Sequence, residues 1–229
     1  MARFLGDTND FFLHIPRTGG SWIQKALDAS KIRTFLWNSR RPSQIAMKHF
    51  LLGHIEYDSL AKLNRVFTFV RHPISYYESV WGWMMESKGS RNNWRILKRY
   101  DWHPHLAAIN SFHPDFNAWL QSLLDKEPCW YTRLVEQYVG PQGGEFCDYI
   151  GRTETLTSDF FRILEWLGYS EQVVKHRDEV EKLGRINPSI RKPEWETSLV
   201  ERVVHEERRV VKRFYGADEH RRFYGSRTL

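Results

Sequence analysis

Two short stretches of this chain carry residue types that can hold an anion. In the first, an apolar run from Phe11 to Ile15 is followed by Pro16, Arg17, Thr18, Gly19, Gly20 and Ser21, after which Trp22, Ile23, Ala26 and Leu27 recur at helical spacing. The run reads as a short buried strand that Pro16 ends, since proline cannot continue a central ladder. Strand, glycine-containing loop and helix in that order present backbone N–H groups at the positive end of the helix. Arg17 adds a full charge there, and Ser21 a hydroxyl. The same residues also describe an ordinary strand-to-helix turn with an N-cap serine. In the second stretch, Arg65 to Val70 is β-branched and aromatic enough for a strand, which Arg71, His72 and Pro73 stop. Pro73 suits the first turn of the next helix. Arg71 leaves the strand end and Ser79 follows eight residues later, two turns into that helix. A guanidinium and a hydroxyl so placed can converge on one phosphate through charge-assisted bonds. The plainer alternative makes Arg71 a strand-end surface charge and Ser79 a small packing residue.

Composition narrows the classes that could use such sites. The chain has 229 residues, 41% of them hydrophobic and 15% aromatic, enough for one α/β domain with a sizeable core and against disorder. The formal net charge of +6 suits an anionic ligand, a nucleic acid or an anionic surface, but the charge is spread out without a long basic run. Cys129 and Cys147 are the two cysteines; they lack CxxC or Cys/His metal spacing, so no metal site is expected, and of a disulfide between them or two buried free thiols the latter is the expectation. No N-terminal apolar segment resembles a signal peptide, and no run of about 18 apolar residues could span a membrane. The expectation is a cytoplasmic protein in a reducing compartment, with no membrane partner.

These residues need elements to position them. Further strands are expected at Arg33–Trp37, His49–Ile55 and Phe146–Ile150. Helices are expected from Pro73, over Asp58–Leu63, Asp115–Leu124, Trp130–Tyr138 and Thr157–Leu167, and as one long helix over Glu196–Phe214. Thr157 or Ser158 would cap the 157–167 helix, and Gly168 would stand at its C′ position. Residues 87–114, with Gly89, Asn92, Asn93, Pro104 and Pro114, read as an irregular insertion or lid. Strands alternating with helices predict a three-layer α/β fold with a central, mainly parallel sheet flanked by helices. Ligands in such sheets sit at the carboxyl ends of the strands, where the loops after Ile15 and Val70 lie.

The loop lacks the G-x-x-x-x-G-K-[ST] spacing of a Walker A motif. HIPRTGGSW instead resembles the 5′-phosphosulfate loop of sulfotransferases that use 3′-phosphoadenosine 5′-phosphosulfate (PAPS), and FTFVRHPISYYESVW resembles their 3′-phosphate motif, with Arg71 and Ser79 at the family spacing. YIGRTETLTSDFFRILEWLG and RINPSIRKPEW resemble the family's later strand-plus-helix and its nucleotide-covering loop. The resemblance spans residues 10 to about 215 and is thin over 87–140, where acceptor recognition would be built.

The resemblance implies a single P-loop-like sulfotransferase domain over residues 1–229, with an irregular or helical insertion at about 87–140. It implies sulfuryl transfer from PAPS to a hydroxyl of a small-molecule or saccharide acceptor, most closely in the carbohydrate, 2-O-sulfotransferase-like branch. 3′-Phosphoadenosine 5′-phosphate (PAP) would be the product. Arg17, Thr18, Gly19, Gly20, Ser21 and Trp22 would bind the donor with Arg71, Ser79, Arg191 and Lys192. Arg17 stands where the family usually has lysine, so it supplies charge to the leaving oxygen but no proton at ordinary pH. Trp22 would flank adenine, or else pack helix against sheet. His54, following Gly53, resembles the family's G-H element, whose histidine is the base; Glu56 is the second choice. Trp94, Arg95, Lys98, Arg99, Tyr100 and Trp102 could line a sugar site. An ATP-dependent kinase and a basic polyanion-binding module are the rivals. The first lacks the Walker lysine, and the second leaves the Arg71–Ser79 spacing unexplained.

Overall fold

A computed structural model of the chain describes residues 2–6, 8–36, 63–86, 103–141, 146–184, 186 and 192–216. His54, Glu56, Arg191, the expected strand at 49–55, most of the expected 58–63 helix and residues 87–102 of the insertion lie outside the described residues. The chain forms two compact units. One comprises Met1–Arg71 with Val135–Pro188, the other His72–Leu134 with Ser189–Leu229. Among the described residues no helix is long and apolar enough to cross a membrane.

The first unit is built on strands β1 (Arg3–Leu5), β2 (Asp10–Phe12), β3 (Thr34–Leu36), β4 (Val66–Val70) and β5 (Tyr149–Arg152), in the order β3-β1-β2-β4-β5. β2, β4 and β5 pair in parallel, whereas β1 is antiparallel to both its neighbours. The sheet is therefore mixed, not mainly parallel as expected. The cause is β1, whose three residues RFL are too few to show a period of two, and which a turn with Gly6 and Asn9 at positive φ folds back against β2. The described part of the last expected strand is displaced as well, to Tyr149–Arg152 from 146–150.

Helices α1 (Gly20–Ala29), α6 (Leu156–Trp166) and α7 (Ser170–Glu181) cover one face of this sheet. Leu5, Phe12, Phe67 and Phe69 meet Trp22, Ile23, Ala26, Leu27, Phe160, Ile163, Leu164, Val173 and Val180 in one apolar cluster. Alternate positions along β4 point to opposite faces, and every residue of β4 is buried, which accounts for its unbroken apolar run. At the amino ends of β2 and β4, the fully buried Asp10 receives Arg65 through two bonds of 2.9 and 2.8 Å. Arg65 also donates to the carbonyls of Trp166 and Leu167 at the end of α6. One side chain thus ties two strands to a helix. α6 follows a 3-10 turn, Thr153–Thr155, and its N-cap is Thr155, not Thr157 or Ser158. Asp159 accepts from the Thr155 hydroxyl at 2.7 Å and from the Arg152 N–H at 2.8 Å. Gly168 does stand at C′, where its N–H and that of Tyr169 reach Glu165 and Leu164. α7 had no counterpart in the sequence reading.

The second unit is helical: α2 (Pro73–Glu86), α3 (Leu106–Asn110), α4 (Phe116–Lys126), the first turn of α5 (Trp130–Val139), α8 (Thr197–Glu206) and α9 (Arg208–Phe214). Asp115 caps α4 by accepting from Ala118 at 2.8 Å. The aromatic face of α2 packs inward, with Tyr76 stacked on Tyr131 at 3.9 Å and Tyr77 against Trp119 and Trp130. The expected single helix over 196–214 is two helices, separated at Glu207. That residue is fully buried and accepts from the N–H groups of Tyr131 and Thr132 at the start of α5 and from the hydroxyls of Tyr77 and Thr132. The break delivers a carboxylate to a helix N-terminus whose donors would otherwise be buried without partners.

Candidate functional site

The loop between β2 and α1 is held in a tight, unusual course. Arg17 has φ 66° and Gly19 φ 90°, so two residues near the helix start lie in the left-handed region. Glycine enters it freely, whereas arginine does so at a cost of about 1–2 kcal/mol. Thr18, between them, is buried and donates its hydroxyl to the Ile15 carbonyl at 2.8 Å. Its side chain thereby closes the loop, and its backbone is what it offers a ligand. Gly19 is the N-cap of α1 and makes no side-chain cap; its carbonyl accepts from Trp22 and Ile23. Ser21 is exposed in the first turn and is not the cap. The alternative of a serine-capped turn is thus set aside. What stands at this helix start is a set of backbone N–H groups without a capping side chain, an exposed hydroxyl, no acidic residue in the first turn, and Arg17 two residues before the cap.

Gly20 has a second reason to be glycine. A Cβ there would stand 2.0 Å from Nε2 of His14. The His14 ring is buried under the loop beside Phe12. Sequence reasoning assigned both glycines to the anion; the structure assigns part of Gly20's necessity to an imidazole.

β4 pairs in parallel with β2, so its carboxyl end comes out beside this loop. Arg71 leaves it and donates from Nη1 to the Arg17 carbonyl at 3.2 Å. The two sequence motifs, 54 residues apart, meet at that bond. From the next strand end, Thr153 donates to the Val70 carbonyl at 3.0 Å, fixing the backbone immediately before Arg71. Leu156 packs beside Gly19, within 3.2 Å of where a Cβ would lie. Both residues were missed; the G-R-T-E segment held the signal, as a strand end followed by a short polar side chain.

Trp22 is 6% exposed, meets Phe160 edge-on at 5.5 Å and donates its indole N–H to the Leu183 carbonyl at 3.2 Å. Of the two roles weighed for it, helix-to-sheet packing is the one displayed. Ser79 lies on α2 in the second unit and is buried. His72, fully buried, sets its ring against Tyr215 at 5.0 Å. Lys192 is exposed on the irregular segment before α8.

The strand ends of this α/β unit gather an uncapped helix start, a left-handed arginine and a second arginine bonded to the same loop, an arrangement whose charge and N–H groups suit an anion. A model of the sulfotransferase family matches residues 4–221, and the chain belongs to that family. No curated protein and no solved structure matches it.

Proposed function

We propose that this protein, a sulfotransferase by family, moves a sulfuryl group from PAPS to a hydroxyl of a carbohydrate or glycoconjugate, on one P-loop-like domain spanning residues 1–229. The observation that carries the donor assignment is the bond from Arg71 to the Arg17 carbonyl, which joins the two phosphate motifs at the uncapped start of α1. The N–H groups of Gly19, Gly20 and Ser21 and the Arg17 guanidinium suit the 5′-phosphosulfate. Arg71 suits the 3′-phosphate, and Ser79 is assigned to that phosphate from the eight-residue spacing alone. Arg191 and Lys192 add charge for the same group.

PAPS supplies an activated sulfur: the acceptor oxygen bonds to it as its bond to the 5′-phosphate oxygen breaks, leaving PAP and the sulfate ester. The protein's part is to hold both oxygens in line, to neutralise charge on the leaving oxygen, and to take the acceptor's proton. Arg17 and the helix start do the second. His54 is assigned the third, with Glu56 in reserve, and residues 87–140 the binding of the saccharide. This predicts that His54→Ala binds PAP normally while turnover falls by about 10²–10⁴. Parallel loss of affinity and melting temperature would make His54 structural.

Calorimetry with PAP, ATP and an oligonucleotide tests the donor assignment. PAP is expected to bind tightest, and Arg71→Ala to weaken it by about 2–5 kcal/mol. Preference for ATP would favour a kinase, preference for the oligonucleotide a polyanion-binding module, and unchanged PAP affinity in folded Arg71→Ala would remove the 3′-phosphate assignment.

A further inference from the structure

The segment from Lys192 to Glu196 has no regular secondary structure, yet it is fastened to the second unit at three points. Trp195 donates its indole N–H to Oε1 of Glu78 on α2 at 2.9 Å. Its ring meets Phe116 edge-on at 4.7 Å. Asn117, the next residue of α4, grips the backbone on either side of Trp195: its Nδ2 donates to the Glu194 carbonyl and its Oδ1 accepts from the Glu196 N–H, both at 3.1 Å. This amide pairs with the segment as a neighbouring strand would. Glu78 is 8% exposed, so its carboxylate is held against α2 largely out of water, where a polar group needs its partner.

The fastening has a direction. Glu78 immediately precedes Ser79 on α2. Lys192 is three residues before Trp195, so their Cα atoms are at most about 11 Å apart. Pro193 narrows that further, since it fixes its own φ and keeps Lys192 extended. The exposed ammonium of Lys192 is thus carried on a short, stiff arm whose root is pinned beside the helix that bears Ser79.

We propose that Glu78, Trp195 and Asn117 are positioning residues that hold the Lys192 arm against α2, so that its ammonium meets the anionic donor nucleotide. The inference rests on the PAPS reading above, in which Lys192 contacts a phosphate. These three residues touch no ligand themselves; they act through Lys192. A long basic side chain on an untethered loop would lose its freedom on binding, at a cost that the fastening removes beforehand.

The test is calorimetry with PAP on the full chain, with melting temperatures measured in parallel. Trp195→Phe keeps the ring against Phe116 and deletes the N–H. It is expected to weaken PAP binding by about threefold to tenfold, the scale of one ordinary hydrogen bond. Glu78→Gln retains an acceptor and is expected to bind near the parent value, whereas Glu78→Leu should match Trp195→Phe. In a Lys192→Ala background, Trp195→Phe should change PAP affinity no further, because the arm then carries nothing. Equal losses with and without Lys192, or parent affinity in Trp195→Phe, would overturn the inference. Failure of the parent protein to bind PAP would overturn the donor assignment itself, and the inference with it.

Discussion

Arg17 is the residue at which backbone and side chain make opposite demands. Its φ of 66° is one that glycine adopts freely and arginine does not. Arg17→Gly is therefore expected to leave stability unchanged or raise it by up to about 1 kcal/mol, the relief of strain being partly offset by glycine's freedom in the unfolded chain. On the proposed PAPS reading, the same change should depress turnover far more than PAP affinity, because there the charge matters most where the leaving oxygen develops. Arg17→Lys, which restores a cation, should keep or raise activity. Thermal melts and single-turnover rates on the two variants separate the roles; a folded, nucleotide-binding but inactive Arg17→Lys would show that the guanidinium fork, not its charge, is required. The course of this loop was legible in the sequence because Pro16, Gly19 and Gly20 separate an apolar run from residues at helical spacing. What could not be read was the reason for each glycine. Gly20 answers to the His14 ring six residues earlier, and whether that ring lies under the loop or away from it depends on packing that no local pattern encodes. Trp22 illustrates the same limit, since an indole that stacks on a purine and one that packs on a sheet follow the same helical spacing.

At the scale of elements, the strands and helices with a clear period were legible, and the errors fall where a side chain from elsewhere decides the matter. α8 and α9 carry one continuous helical pattern, yet they part at Glu207 because its carboxylate caps α5, some 75 residues earlier in the chain. Burial pushes the Glu207 carboxyl up, while the Thr132 and Tyr77 donors pull it down. Its phenol partner Tyr77 is pushed well up by burial and by Glu207 itself. Removing this acceptor leaves four donors in the interior without it. Glu207→Ala is thus expected to cost about 2–5 kcal/mol and to fray the start of α5. Glu207→Gln, which retains one carbonyl oxygen, should cost less. Urea denaturation combined with amide exchange of Tyr131 and Thr132 checks this; protection of those two amides in Glu207→Ala equal to the parent's would contradict the capping role. Asp10 and Arg65 make a comparable bond within the first unit, where the Asp10 hydrogen bond leads in raising the Arg65 guanidinium above its ordinary range. That pair spans 55 residues and was likewise invisible to a local reading.

For the whole molecule, alternating strands and helices correctly gave the α/β class, and one three-residue strand was enough to turn a mainly parallel sheet into a mixed one. Global stability offers a test of how the helical unit uses its buried histidines. His103 is 5% exposed, and its Nδ1 accepts the backbone N–H of His105 at 3.1 Å, an arrangement that requires that nitrogen to be unprotonated. His105 in turn meets the Tyr76 hydroxyl at 2.9 Å. Burial lowers the His103 pKa to about 4, whereas an unfolded histidine titrates near 6.5. Between those values the unfolded chain binds the proton and the folded chain does not. Stability must therefore fall as pH falls from about 6.5 towards 4, by an amount of the order of 3 kcal/mol once both states are protonated. Above about pH 7 the residue is neutral in both states and contributes no slope. Carboxylates also titrate in the lower part of this window, so the slope of the parent protein alone does not isolate His103. His103→Asn does, because its Oδ1 can accept the same N–H without titrating. Urea midpoints measured from pH 7.5 to 4.5 are expected to decline less steeply in His103→Asn than in the parent, with the two curves diverging first below about pH 6.5. Parallel curves would mean that the imidazole takes up its proton in place, and that burial does not hold it neutral.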